Sequence, residues 1–486
     1  MKKHFLVFAL ILFLIFIFRL PSLFEPFWYG DEGIFAAVAN NLNQGGVLYR
    51  DSWDNKPPMI YLTYAAIFKF FGVSMFWLRL AAAIVVLTTA AVIYEIGQKM
   101  LSKKRALLAT FTFGFLTSLR LIEGNLALTE ILMILPITLA ILMAILRKFD
   151  YVSLFFAGFL FAVASLYKQV GALETGALGI YIFLISKNFG QFFTKGLVLT
   201  AGFAVPFLAF IAYFAPKNLV GEYIFAAYTY YRIYFGESPK YTFLINLLKF
   251  LPIMAAVAWG AYQKARKKVQ LLNLLLLWAA FSALGSFFSG RTYGHYLIQT
   301  IPAISLILAS INLKFKFKKN VLIFGLFFLA PLLILTKVLF FDFLTSGPLN
   351  QFGYWGNFLA YSLGKKGLDN YNDYFDKNVN SIMALADFFA TRGDVQPTAY
   401  IWGDYPWLYA ISDLKNPVRY VTSFHVFGVG GGRSEVAKAL TLRPPKYIIK
   451  PASSIGYFNE LERLLVVKYR LFAKIESADV YIKEPE

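Results

Sequence analysis

Residues 28–58 read WYGDEGIFAAVANNLNQGGVLYRDSWDNKPP. They follow one unbroken apolar stretch, HFLVFALILFLIFIF at 4–18, and are followed by a succession of further apolar runs. Two adjacent carboxylates, Asp31 and Glu32, stand where the first apolar segment has ended. A second acidic pair, Asp51 and Asp54, comes next, and Lys56 sits directly before the Pro57-Pro58 step. Ionisable groups at a membrane boundary are costly to desolvate, so a cluster of them is a candidate functional site. The plainer alternative is a solvated loop whose charges only mark the membrane edge.

The rest of the composition sets the frame for that stretch. The chain has 486 residues, 58% of them hydrophobic and 19% aromatic, with 52 Phe and 30 Tyr. A soluble globular protein is closer to half apolar. Runs long enough to cross a hydrocarbon core of ~30 Å recur many times, which predicts a polytopic α-helical membrane protein. The net charge of +20 does not indicate nucleic acid as a partner. Its Lys and Arg sit mostly in short loops between apolar runs, where they orient helices and attract anionic lipid. No basic module with interleaved aromatics stands apart from them. With no Cys there is no disulfide, thiolate metal site or thiol nucleophile. Three His make a zinc site a poor fit.

Outward from 28–58, the chain predicts about eleven transmembrane helices. The first, 5–20, has no small-residue cleavage site after it, and Arg19, Leu20 and Pro21 follow instead. It reads as an uncleaved span, with Lys2 and Lys3 holding the N-terminus in the cytoplasm. Residues 21–75 form a first outer loop, with amphipathic helices at 33–43 and 59–71. Further spans are expected at 76–97, 106–119, 130–146, 151–167, 171–185, 196–214, 242–262, 269–288, 296–312 and 321–341. Lys and Arg crowd the loops at 98–105, 147–148, 263–268 and 314–319, all on one side in this count. The transmembrane domain therefore ends near 342. Residues 343–375, rich in Gly, Asn, Tyr and Asp, read as a linker. Residues 376–486 alternate helical and short strand patterns, which predicts a small extracytoplasmic α/β domain.

A carboxylate at a membrane edge can act as general base on an acceptor hydroxyl. A nearby lysine can neutralise a lipid-borne phosphate as a compact point charge. Asp31 and Glu32 with Asp54 and Lys56 supply both types in one loop, which suits transfer from a phosphate-linked donor. Other polar groups fall on the same predicted side. Glu123 and Glu130 lie in or near the second outer turn, and Glu130 there is also favoured by the dipole of the helix it heads. Lys168 lies between two spans, and Arg232 in a Tyr cluster that could equally be an interfacial belt. Arg291, His295 and Tyr296 sit together, although a lone His is more often a plain hydrogen-bonding residue. No Gly-rich nucleotide loop is present, so an activated donor would be lipid-linked. Asp51 and Asp54 stay open between loop structure and acceptor or metal contact.

With those residues in view, WYGDEGIFAAVANNLNQGGVLYRDSWDNKPPMIYLTYAAIFKFFG resembles the N-terminal signature of GT-C class polyprenyl-phosphate-sugar glycosyltransferases. More narrowly it is similar to the protein mannosyltransferase and aminoarabinose lipid A transferase superfamily. GRTYGHYLIQTIPAISLI at 290–307 and YIWGDYPWLY at 400–409 extend the resemblance. It implies a GT-C-like membrane bundle whose site faces away from the cytoplasm, fed by a polyprenyl-phosphate-linked sugar. It makes Asp31 the catalytic base with Glu32 beside it. It makes Lys56 the donor-phosphate contact, with Lys168 and Tyr296 as further donor contacts, His295 adjacent and Arg232 a looser match; Arg291, read from its place on the same predicted side, is taken with them. Glu130, standing where relatives often carry Asp-Pro, is a supporting acid in that resemblance, and Asp54 is taken as another from the reading of the loop itself. The implied mechanism is a single inverting displacement. A divalent cation is bound in some members and dispensable in others, so none is assigned.

The expected activity is thus sugar transfer at the cell membrane to an extracytoplasmic acceptor: a protein, a glycolipid or an envelope glycan. A transporter or flippase of lipid-linked sugars would instead place charges mid-helix and break helices in two related halves. A scaffold or receptor would leave Asp31 and Lys56 replaceable.

Overall fold

The computed structural model describes residues 2–231, 248–291, 293–311, 350–452 and 456–485. Arg232, the run at 321–341 and residues 343–349 of the expected linker lie outside the described residues. Helices α1 (Lys2–Arg19), α2 (Gly30–Asn43), α3 (Met59–Phe71), α4 (Met75–Met100) and α5 (Lys103–Leu116) open the chain. Next come α6 (Thr129–Leu146), α7 (Tyr151–Tyr167), α8 (Leu173–Ile185), α9 (Phe189–Phe214) and the short α10 (Val220–Ile224). Helices α11 (Leu251–Ala265), α12 (Leu271–Phe287) and α13 (Ile301–Ser310) follow, with a 3-10 segment, Gly294–Thr300, leading into α13. The remainder is α14 (Gln351–Ser362), α15 (Leu368–Asp373), α16 (Asn378–Arg392), β1 (Ala399–Ile401), α17 (Trp407–Ile411), α18 (Ser423–Gly428) and α19 (Gly432–Leu442). It closes with β2 (Tyr447–Pro451), α20 (Asn459–Lys468), β3 (Tyr469–Ile475) and β4 (Ala478–Lys483).

The protein is mostly helical. Among the described residues, Lys3–Phe24, Met75–Met100, Thr129–Leu146 and Phe189–Lys217 are long and apolar enough to cross a membrane. Met59–Phe71, Tyr151–Tyr167, Gln169–Ile185, Leu271–Phe287 and Gly294–Ser310 are shorter apolar helices. Two local readings change. The segment 186–195, the connection between the expected spans 171–185 and 196–214, is helical from Phe189, where the Asn188 side chain accepts from the Gln191 N–H at 2.8 Å and caps the turn. Within the expected linker, residues 351–362 and 368–373 are helical. Aromatic packing holds them despite their polar composition: Tyr371 stacks on Tyr361 at 4.4 Å between ring centroids, and Phe24 lies 5.6 Å from Phe358.

The chain divides into two compact units, each built from separated segments. The first comprises Met1–Ser22, Arg79–Tyr213 and Phe235–Tyr354. Here Arg19 is buried at the end of α1, and its Nη1 donates to the carbonyls of Thr117 (2.9 Å) and Gly124 (2.7 Å). Those bonds offset the cost of burying a cation and satisfy a carbonyl left orphaned at the end of α5. Glycines bring apolar helices into backbone contact. A Cβ at Gly158 would stand 2.0 Å from the Leu199 carbonyl, and one at Gly202 would stand 1.9 Å from that of Phe155. Small residues allow such approach where lipid supplies no hydrophobic drive between helices. Helix α6 is enclosed, with Ile131, Met133 and Ile134 fully buried, whereas α1 and α9 leave Phe5, Phe193 and Leu208 exposed.

One buried carboxyl in this unit anchors the 3-10 segment. Glu174 of α8 accepts at Oε1 from Ser282 Oγ (2.9 Å) and from Gln299 Nε2 (2.7 Å). Gly285 makes room, since a Cβ there would lie 2.6 Å from the Gln299 amide. Gln299 belongs to the same 3-10 segment as His295 and Tyr296. Glu174→Gln keeps an acceptor and is expected to leave the thermal midpoint near that of the unaltered protein. Glu174→Leu strands two buried donors, at about 1–3 kcal/mol each, and is expected to lower the midpoint of thermal unfolding in detergent.

The second unit comprises Leu23–Leu78, Phe214–Tyr234 and Trp355–Glu486. Helices α2 and α3 pack through Phe35, which meets Tyr61 and Tyr64 edge-on at 6.0 and 5.8 Å. A four-stranded sheet has the order β1-β2-β4-β3. β1 runs parallel to β2, with Ala399 opposite Tyr447 and Ile401 opposite Ile449, and the other two pairs are antiparallel. β1 is buried throughout and reads as a continuous apolar run, while edge strand β3 is largely open. Helix α16 ends at Gly393, whose φ of +68° is the left-handed cap that glycine adopts without strain.

Candidate functional site

Helix α2 starts after Tyr29, whose extended backbone (φ −78°, ψ 125°) places Asp31 and Glu32 in the first helical turn. The unpaired N–H groups there favour negative charge. Glu32 is fully buried. Asp31 is half-buried, and its carboxylate has no hydrogen-bond partner among the described residues. Trp407 fixes this helix start: its Nε1 donates to the Tyr29 carbonyl at 3.0 Å. Gly33 lets α2 lie against α17, since a Cβ at 33 would fall 2.8 Å from the Trp407 ring.

The loop that follows separates the two aspartates left open by the sequence. Asp51 is a loop staple: its Oδ2 accepts from the Val47 N–H at 2.8 Å and pairs with Arg50 at 2.8 Å, near the surface. Asp54 is buried, with Oδ2 accepting from the Tyr61 hydroxyl at 2.7 Å and Oδ1 3.2 Å from His425 Nε2. Burial pushes its carboxyl up. The His425 hydrogen bond, the Lys56 and His425 charges and the Tyr61 hydroxyl outweigh that and bring it down to about 2. Lys56 Nζ donates to Asn55 Oδ1 at 2.8 Å. Its backbone is held on both sides, the carbonyl accepting from Tyr49 OH (2.8 Å) and the N–H donating to Tyr61 OH (3.2 Å). Pro58 then sets the start of α3 with φ −65°.

The other predicted residues form a cluster in the first unit. Glu130, in the first turn of α6, is ion-paired with Lys168 and accepts from Thr129 Oγ1 at 2.7 Å. Lys168, at the end of α7, also lies over the Tyr296 ring, 3.7 Å from its centroid. His295 faces a carboxylate at each ring nitrogen: Glu123 bonds Nδ1, and Glu130 stands 3.7 Å from Nε2. Tyr293 stacks on the His295 ring at 5.5 Å. Arg291 stands half-buried in the loop entering this segment, its N–H donating to Ser289 Oγ at 3.2 Å. The sequence-predicted residues thus form two sets. Asp31, Glu32, Asp54 and Lys56 belong to one unit, and Glu130, Lys168, Arg291, His295 and Tyr296 to the other.

Three residues join these sets without having been singled out for a site role. Glu123 enters because its left-handed backbone (φ 54°, ψ 28°) turns the chain at the end of a short 3-10 segment. His425 and Trp407 come from far along the chain. The only sequence signal for Trp407 is its place in YIWGDYPWLY, and His425 carries none. Among the described residues no group of three or more His, Asp or Glu is arranged to hold a metal ion.

Comparison with known proteins gives a family match over part of the chain, two sequence relatives and several solved structures of like fold. Residues 55–216 match the family described as dolichyl-phosphate-mannose-protein mannosyltransferase. Two proteins of Aquifex aeolicus (strain VF5), both described as uncharacterized, are similar. One is 22% identical over 367 residues, covering 71% of this chain and 71% of its own. The other is 27% identical over 354 residues, covering 68% of this chain and 79% of its own. Among solved structures, ArnT from Cupriavidus metallidurans bound to undecaprenyl phosphate superposes with a TM-score of 0.60 at 13% identity, covering 98% of this chain and 99% of that one. The apo oligosaccharyltransferase of Archaeoglobus fulgidus gives a TM-score of 0.50 at 13% identity, covering 92% of this chain and 69% of that one. At these identities the structural likeness is one of fold. Taken with the family match, which begins at the residue before Lys56, it makes this chain similar to GT-C class glycosyltransferases, over residues 55–216 in sequence and more widely in fold.

Proposed function

We propose that the protein transfers a sugar from a polyprenyl-phosphate donor to an acceptor hydroxyl on the extracytoplasmic face, with inversion at the anomeric carbon. The observation that carries this reading is Asp31: a half-buried carboxylate at a helix start, with no hydrogen-bond partner among the described residues, in the same unit as the lysine of an Asn55-Lys56-Pro57-Pro58 turn. The acceptor oxygen attacks the anomeric carbon while Asp31 takes its proton. The bond from that carbon to the phosphate oxygen breaks, and polyprenyl phosphate leaves with the electron pair. Lys56 offsets the negative charge of the leaving phosphate. Lys168, Arg232, Arg291, His295 and Tyr296 are further donor contacts in this reading, with Glu130 and Asp54 as supporting acids and Glu32 beside the base. The undecaprenyl phosphate bound by ArnT supports a lipid phosphate as the carrier. The reading includes about eleven crossings, a cytoplasmic N-terminus and an extracytoplasmic region 376–486. The acceptor is a protein, a glycolipid or an envelope glycan.

Mass spectrometry of lipid-linked sugars and glycoconjugates, with and without the gene, tests the whole reading. A polyprenyl-phosphate sugar should accumulate and one glycosylated product should vanish when the gene is lost. Unchanged profiles would reject it. Lys56→Ala should weaken polyprenyl-phosphate binding by about 10–100-fold, the worth of one charge-assisted hydrogen bond. Direct titration of the purified protein checks this, and unaltered affinity would remove Lys56 from the phosphate site.

A further inference from the structure

A crevice of about 330 Å³ opens where α2 and α3 reach their C-terminal ends, lined by Asn40, Leu42, Asn43, Phe68, Lys69 and Val73. That volume lies at the lower end of the range for small-ligand cavities, about 300–1,000 Å³. All of these residues belong to one unit. Two carboxamides are fixed by their nitrogens. Asn40 Nδ2 donates to the Tyr409 carbonyl at 3.3 Å and to Asp413 Oδ1 at 3.1 Å, and Asn43 Nδ2 donates to the Ala65 carbonyl at 3.0 Å. Their Oδ1 atoms remain as acceptors with no hydrogen-bond partner among the described residues. The ends of α2 and α3 add orphaned carbonyls and the partial negative charge of two helix dipoles. Asp413, which also accepts from Gln44 at 2.6 Å, adds a full negative charge close by. Lys69, exposed in the last turn of α3, is the cation of the lining, and it has no ion-pair partner among the described residues.

We propose that this crevice binds the headgroup of a bilayer phospholipid carrying a primary ammonium, such as phosphatidylethanolamine: the ammonium enters among the Asn40 and Asn43 oxygens, and the phosphate meets Lys69. Acceptors call for N–H donors and the lysine for an anion, and a phosphoethanolamine group carries both on one short chain. Phosphatidylcholine brings a cation with no N–H to donate, and a polyprenyl phosphate brings no cation. The rim points to a membrane as the source. Phe70 and Phe71, next to Lys69, are exposed, and Phe71 stacks at 4.7 Å on Trp77, which is exposed as well. Such aromatic clusters gather at headgroup depth. Helix α4, long and apolar enough to cross a membrane, begins at Met75, just past Val73. None of the crevice residues is assigned to sugar transfer, so the site stands or falls independently of that reading.

The experiment titrates purified, delipidated full-length protein in detergent with phosphatidylethanolamine or phosphatidylcholine and follows bound lipid by native mass spectrometry. The ethanolamine lipid should bind about tenfold more tightly, the worth of one charge-assisted hydrogen bond. Lys69→Gln breaks no described bond and should weaken that binding about three- to fivefold, as for an ion pair in contact with water. Val73→Trp fills the crevice and should erase the preference for ethanolamine while leaving the lipid-free thermal midpoint in place. If the larger side chain lowers that midpoint, Lys69→Gln decides alone. Equal binding of the two lipids by the unaltered protein, or unchanged affinity in Lys69→Gln, overturns the proposal. Phosphatidylglycerol binding as tightly as the ethanolamine lipid would assign the acceptors to hydroxyls and overturn it too. Displacement of the ethanolamine lipid by equimolar undecaprenyl phosphate would make the crevice part of a polyprenyl-phosphate site, which also overturns it.

Discussion

Asp31→Asn is expected to lower sugar transfer by about 10²–10⁴-fold, the usual contribution of a positioned general base, with no measurable change in stability. Asn has the shape of Asp and still accepts hydrogen bonds at a helix start, where it is well tolerated. It cannot take the acceptor proton. Asp31 is half-buried with no hydrogen-bond partner among the described residues, so the substitution breaks no described bond. Glu32, the adjacent carboxylate, is fully buried, a poorer place for a group that must meet an incoming hydroxyl. Transfer from a labelled polyprenyl-phosphate sugar, measured beside the thermal midpoint and donor affinity, separates the outcomes. A selective loss of turnover supports Asp31 as base. Turnover at the unaltered rate would reject it.

Lys168→Met is expected to destabilise the protein by about 3–5 kcal/mol, the cost of leaving one charge of a buried pair uncompensated. The side chains of Lys168 and Glu130 are 11% and 2% exposed, so water can do little for whichever remains. His295 Nε2, 3.7 Å from Glu130, stands too far for a hydrogen bond of ordinary length to take over. Replacing both members, Lys168→Met with Glu130→Gln, removes both charges and should recover most of the loss. Unfolding of the single and double variants in detergent decides the point. A double variant no better than the single would place the cost in lost packing against Tyr296 instead. In the proposed reaction Lys168 can hold a donor phosphate only by sharing itself with Glu130 or leaving it.

The opening stretch shows where reading along the chain stops. Asp51 and Asp54 look alike in YRDSWDNKPP, and nothing local distinguishes them. In the fold Asp51 closes its own loop within four residues, whereas Asp54 is buried against a histidine from a distant helix. Read along the chain, Glu123 groups with Glu130 among the outer-turn polar residues but has no role, and its pairing with His295 depends on a left-handed backbone and on a segment far along the chain. The helical content of 351–373 was hidden for the same reason: stacked aromatics from separate turns hold it, not local propensity.

Run length, apolar periodicity and a Pro-Pro step are properties of neighbouring residues, so the helical membrane class, the helices around 33–43 and 59–71 and the Asp31–Lys56 candidates were legible without coordinates. Partner choice is not local. A buried charge takes the partner that can share its low-dielectric surroundings, and that partner is set by which segments pack together. The two units interleave segments from the beginning, middle and end of the chain. Packing therefore decided that Lys168 neutralises Glu130, that His295 lies between two carboxylates, and that the loop of Lys56 is held from His425.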